Sequence, residues 1–170
     1  TGSGLAFSVL PDRAMDIAWA NFKGTPISWI SKTGVVSPKY FEHRGIEWLR
    51  GFYGGLLTTC GLRQIGVPNV CDGEEFALHG RIANIPAENV SVHQYWQGDD
   101  LIMNVSGQMR ENRVFAENLL LKREITANLG ENRFIIKDTV VNEGYKPEGI
   151  LLLYHMNFGF PLIDDGAQIK

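Results

Sequence analysis

Cysteine is scarce in this 170-residue sequence: there are two, Cys60 and Cys71. They lie eleven positions apart, without the close pairing that a zinc or redox motif needs, so two reduced thiols are the default and a disulfide the lesser alternative. Basic charge is scarce as well. Sixteen Lys and Arg stand against nineteen Asp and Glu, with no run able to neutralise phosphates, and nucleic acid is not an expected partner. No apolar stretch approaches the ~20 residues that cross a bilayer, so no membrane partner is expected. The opening TGSGLAFSVL lacks a basic segment followed by an apolar core, which makes a cytoplasmic protein the expectation. The four histidines show no close pair and no H-x-H, so a metal site has no ligand set to start from. What is present is ordinary for a soluble domain: 44% hydrophobic residues supply one substantial core and argue against disorder. Nothing in the composition fixes an oligomeric state.

Helical periodicity is also hard to find, whereas β-branched and aromatic runs between Gly, Asn and Asp turns recur from residue 5 onward. AMDIAWANF and TPISWIS, joined around Lys23 and Gly24, suggest a first strand pair with Trp19 and Trp29 as core candidates. Residues 38 to 50 suit one short helix or an irregular loop. From residue 90 a meander is expected: VSVHQYW, a turn at 98–100, LIMNVSGQM, a turn near Glu111 and Asn112, VFAENLLLKREITANL, a turn at 130–132, then RFIIKDTVVN. The loop EGYKPEG leads into ILLLYHMNFGFPL. Ile150 to Tyr154 suits a strand covered on both faces, and a period of two puts Leu151, Leu153, His155 and Asn157 on one face. Short turns and no intervening helices favour an all-β antiparallel sandwich over any α/β architecture. The closing DDGAQIK resembles a turn entering another strand, so a single domain over residues 1–170, part of a longer one, is expected.

Between the two β regions lies a long segment rich in Gly and Pro, and such segments inside compact domains are often functional loops. It holds Glu74, Glu75, His79, Arg81, Asn84 and Glu88 within fifteen positions, the densest group of acid-base and hydrogen-bonding side chains in the chain. Some of them should line a pocket.

These residues carry a resemblance. LHGRIANIPAENV is similar to the first histidine motif of the aldose 1-epimerase (galactose mutarotase-like) superfamily, and YHMNFGFP to its later H-x-Y-F-N segment, in the same order. With FYGGLLTTCGL and DGEEF, the whole chain looks most like the subfamily called domain of unknown function 4432. The resemblance implies a galactose mutarotase-like β-supersandwich that binds a small-molecule sugar in a cleft and interconverts its α and β anomers without a cofactor. It implies His155 as the general acid that protonates the ring oxygen, and His79 and Arg81 as contacts to sugar hydroxyls. Asn157 falls near the family's asparagine in a different register. Glu75 divides equally between ordering the loop and binding sugar.

The residue types suit the chemistry. Ring opening needs a base on the anomeric hydroxyl and an acid at the ring oxygen; imidazole exchanges protons near neutral pH, and a guanidinium offers fixed donors to hydroxyls. In mutarotases the base is a glutamate well after the second motif. Glu74, Glu75, Glu88 and Glu117 precede His155, and Asp164 and Asp165 follow it too soon, so a base outside this sequence is expected.

Blander readings compete. A lone strand histidine is usually bonded to backbone, and His79 and Arg81 could pin the loop, Arg81 pairing with Glu75 or Glu88. Trp48, Phe158 and Phe160 could stack on a sugar but are left to packing, and His43 and His93 to the surface. A binding-only module, or an isomerase of another sugar derivative, are the alternative functions.

Overall fold

The computed structural model describes residues 1–168. Among them run eleven strands: β1 (Leu5–Leu10), β2 (Asp16–Phe22), β3 (Thr25–Pro26), β4 (Leu57–Leu62), β5 (Asn69–Cys71), β6 (Glu74–Phe76), β7 (Glu88–Gln97), β8 (Asp100–Asn112), β9 (Asn118–Asn128), β10 (Ile135–Asn142) and β11 (Leu151–Met156). Among the described residues helix is confined to the 3-10 turns Pro38–Tyr40, Glu47–Gly51 and Ile82–Asn84, and none is long and apolar enough to cross a membrane. The paired strands are antiparallel throughout the named sheets, as the short turns require.

One sheet has the order β1-β2-β4-β11, with β3 against β2; the other has the order β10-β9-β8-β7, and β5 and β6 form a separate hairpin. The central meander strand β9 alternates as a sandwich demands. Along β9, Leu119, Leu121, Arg123, Ile125 and Ala127 turn inward, while Lys122 and Glu124 face out. Leu119 and Leu121 meet Met15, Leu62, Ile82 and Met109 in one buried cluster, and Ile17, Ala20, Leu56 and Leu57 form a second. Full burial of a leucine is worth about 1.5–3 kcal/mol, and Leu121→Ala would cost about 2–5 kcal/mol through the cavity it leaves.

Several expectations need correction. Trp19 and Trp29 are not core residues; they are 49% and 44% exposed. Trp19 is the outward member of an otherwise buried stretch of β2. Two ladder pairs and hydrogen bonds from Ile27 and Ser28 to Ala20 join β2 to the TPISWIS segment, which then bridges Ser28 to Phe158 and Ile30 to Gly54. β11 is not covered on both faces: Leu151 and Tyr154, on opposite faces, are 43% and 46% exposed, and among the described residues it pairs only with β4. β8 runs through Glu111 and Asn112 to its end, so the following turn occupies residues 113–117. Near the C-terminus the Ala167 N–H donates to the Asp164 carbonyl at 3.0 Å, closing the expected turn. The strand expected after it falls on Ile169 and Lys170, outside the described residues. Cys60 is buried and Cys71 exposed, both as free thiols.

An ion cluster ties the two sheets together. Arg123 and Asp16 are fully buried, with Nη1 2.8 Å from the Asp16 carboxylate, and Nη2 lies 2.7 Å from Asp138. Arg123 also donates to Thr59 Oγ1 and the Ala14 carbonyl, Thr59 donates twice to Asp16, and the Tyr154 hydroxyl donates to Asp138. Five strands therefore meet at one guanidinium: β2, β4, β9, β10 and β11. Burial works against its charge, but Asp138 and Asp16 outweigh it and hold the proton more firmly than usual.

Candidate functional site

β4 is buried along its whole length and pairs with β11 from Leu57↔Met156 to Leu62↔Leu151, which sets His155 opposite Thr58. His155 is half-buried at the end of β11. Asn157, 9% exposed, donates from Nδ2 to the His155 carbonyl at 3.1 Å, while its own N–H reaches the Leu56 carbonyl at 3.3 Å. The amide therefore braces the strand end from which His155 projects.

The loop after β4 returns His79 to the same place. The His79 N–H donates to the Gly66 carbonyl, its carbonyl accepts from the Gly61 N–H, and the Arg81 N–H donates to the Gly61 carbonyl. This seat forces unusual backbone angles. His79 has φ +58°, a left-handed conformation that costs a non-glycine residue energy and persists only where surrounding bonds fix it. Gly80 follows at φ +74°, and a Cβ there would collide with the Gly61 carbonyl oxygen and lie 2.7 Å from that of Gln64. The HG dipeptide is thus a backbone requirement as well as a chemical one.

Four rings close the site. His79 and His155 lie 5.8 Å apart at 88°, Phe52 lies 5.1 Å from His155, Trp48 stacks on Phe52 at 4.8 Å, and Trp48 meets His79 at 5.0 Å. The Gly66 N–H donates to His79 Nδ1 at 3.2 Å, so that nitrogen is the unprotonated one and Nε2 carries the hydrogen. Burial, and then the neighbouring His155, lower the His79 pKa from its ordinary value. His79 is thereby held as a neutral donor. Neither nitrogen of His155 bonds another described residue, and no carboxylate among the described residues pairs with either ring.

Glu75 and Arg81 make no hydrogen bond or ion pair with either imidazole among the described residues. Glu75 is exposed on β6 opposite Val70. Arg81 makes no ion pair with Glu75 or Glu88; it lines a depression of about 280 Å³ with His43, Asn84, Arg110 and Glu111. Glu111 is 5% exposed and accepts the Leu62 N–H at 2.8 Å, and burial pushes its carboxyl up to about 6. Leu62 is four residues along β4 from Thr58, the partner of His155. At ~3.3 Å per residue that is roughly 13 Å, too far for Glu111 to share one sugar C–O bond with His155. Glu74 is committed to Arg63 at 2.8 Å, and Glu117 to Arg63 and Arg113. His43 and His93 are exposed, His93 meeting Ser91. Larger depressions, of about 310 and 610 Å³, are apolar clefts lined by residues such as Phe7 and Met103, or Phe22 and Ile27. Neither cleft is lined by His79 or His155. Trp48, left to packing on the sequence, is buried against His79 and Phe52, and Phe52, not singled out there, packs against His155.

Comparison with known proteins agrees with this architecture. Residues 1–170 match the family described as "Domain of unknown function (DUF4432)". No curated protein matches the chain. The chain is similar to a crystal structure of a "putative aldose 1-epimerase" from Klebsiella pneumoniae, with a TM-score of 0.89 and 27% identity, covering 96% of this chain and 43% of that one. The chain therefore spans less than half the length of that protein.

Proposed function

The chain belongs to the DUF4432 family and has the aldose 1-epimerase-like fold, and from that premise we propose that it binds an aldose at His79 and His155 and interconverts its anomers. One observation carries the reading: a neutral, donor-fixed His79 faces a His155 whose nitrogens bond no other described residue. Such a pair can present one fixed hydrogen-bond donor and one proton-exchanging group to a single ligand.

In this reading His155 donates a proton to the ring oxygen as the C1–O5 bond breaks, while a carboxylate base takes the anomeric hydroxyl proton. The resulting carbonyl rotates and the ring recloses on its other face, returning both protons. His79 Nε2–H holds a hydroxyl. Arg81, Glu75 and Asn157 remain proposed polar contacts, Asn157 acting through the His155 backbone. The base is proposed to come from residues beyond this sequence. Residues 1–170 would then be a single domain's share of a longer sandwich, which the 43% coverage of the Klebsiella structure supports.

The test is anomer exchange, by polarimetry or exchange NMR on freshly dissolved aldoses, using the full-length protein and a His155→Ala variant. Acceleration that disappears in the variant is the expected result. The absence of a paired carboxylate among the described residues favours a second reading, a sugar-binding module without catalysis. It would show saturable sugar affinity that survives His155→Ala and no acceleration with either protein.

A further inference from the structure

Trp29 is a large aromatic left 44% exposed, yet it is held as firmly as a core residue. Its N–H donates to the Asn157 carbonyl at 3.0 Å and its carbonyl accepts the Gly55 N–H at 2.8 Å. It is thus clamped between FYGG and YHMNFGFP, the segment that bears His155. Its ring lies where the Gly54 side chain would be: a Cβ there would stand 2.6 Å from Cε3 and 2.9 Å from Cζ3 of the indole. Gly54 vacates a seat for this ring, and the residue as a whole stays 44% exposed.

The seat points along a row of rings. Trp29 meets Phe52 at 6.1 Å, Phe52 meets His155 at 5.1 Å, and His155 meets His79 at 5.8 Å. The row therefore begins in an apolar, half-exposed indole and ends in two polar imidazoles. A ligand matching it needs an apolar face beside a hydroxyl-bearing edge. A pyranose has that form, because its axial C–H bonds make the ring faces apolar while its hydroxyls radiate from the rim. A buried aromatic wall cannot serve in this way: Trp48 is only 3% exposed.

We infer that Trp29 is the stacking platform of the site, taking the C–H face of a ring-closed sugar while the histidines take its edge. This rests on the sugar-binding reading above. It adds that recognition requires the closed pyranose and that an open-chain alditol, lacking the flat C–H face, gains nothing from Trp29.

The test titrates the protein with D-galactose and D-glucose and with the matching alditols. Wild type, Trp29→Ala, Trp29→Phe and His79→Ala are compared, with circular dichroism and melting to check the fold. Trp29→Ala should weaken pyranose binding by about tenfold and leave alditol binding unchanged. Trp29→Phe should restore most of the affinity and lower the sugar-induced change in tryptophan emission to the share that Trp48 reports. If Trp29→Ala does not fold, the emission change in Trp29→Phe decides: one as large as in wild type overturns the platform. Unaltered pyranose affinity in a folded Trp29→Ala, alongside weakened binding in His79→Ala, removes Trp29 and leaves the site. If wild type binds no sugar, both readings fall.

Discussion

His79 gives a pH signature that belongs to one residue. Its folded pKa lies below 6.5 because burial, first, and His155, second, oppose its positive form. A histidine with a depressed folded pKa contributes stability that is full above the unfolded value, near 6.5, and lost as pH falls through the folded one. In His155→Ala the like-charge part vanishes while burial remains. The His79 titration followed by imidazole NMR should therefore move up toward 6.5 without reaching it. An unmoved midpoint would mean that the two rings do not sense each other. Glu111 has the opposite sign. Its carboxyl is raised from 4.5 to about 6 by burial, against the Leu62 N–H and Arg81. Its contribution to stability is therefore full below about 4.5 and lost as pH rises through 6. Glu111→Gln retains an oxygen for Leu62 and removes the charge. It should gain on the order of 1–2 kcal/mol in urea unfolding at about pH 8 and nothing near pH 4. An equal gain at both would assign the effect to packing instead.

Among the elements, β9 shows what a sequence discloses and what it withholds. The alternation in LLLKREITA puts Arg123 on the inward face with Leu121 and Ile125, and that much follows from a period of two. Its partners do not. Asp138 is its neighbour only because β10 pairs with β9 in that register, and Asp16 comes from 107 residues away. The meander from β7 to β10 was legible because its hairpins are local; the packing of the TPISWIS segment was not, because it turns on long-range bridges to Gly54 and Phe158. The histidine pair was legible only through its motifs, since a strand and a loop brought together by Gly61 leave no shared period. Arg123→Met should be costly, because Asp16 and Asp138 would keep buried charges without their donor. A loss of about 3–5 kcal/mol by chemical denaturation is expected, and Asp16→Asn in the same chain should recover part of it. A loss below about 1 kcal/mol would mean the cluster is hydrated and carries little of the join between sheets.

For the whole molecule, the apolar residues left outside decide behaviour at high concentration. Among the described residues β7 is an edge strand, hydrogen-bonded only to β8, and along one of its faces run Val90, Val92 and Trp96, exposed by 43%, 70% and 66%. Open backbone donors and acceptors beside such side chains form a template for pairing with another chain. The 170-residue chain by itself should therefore sediment with a concentration-dependent increase in mass. Val92→Lys places a charge at the most exposed of the three positions, where pairing of two β7 strands would have to bury it, and should lower that increase. Sugar affinity should not change, because Val92 lies on the other sheet from the histidines. If Val92→Lys sediments as wild type does, the association runs through another surface. The apolar residues of β11, Leu151 at 43% and Met156 at 45% exposed, are then the next to test, since that strand is also paired on one side only. A charge on β11 would be expected to disturb His155 as well, so the two edges separate cleanly: β7 governs association alone, and β11 couples association to the site.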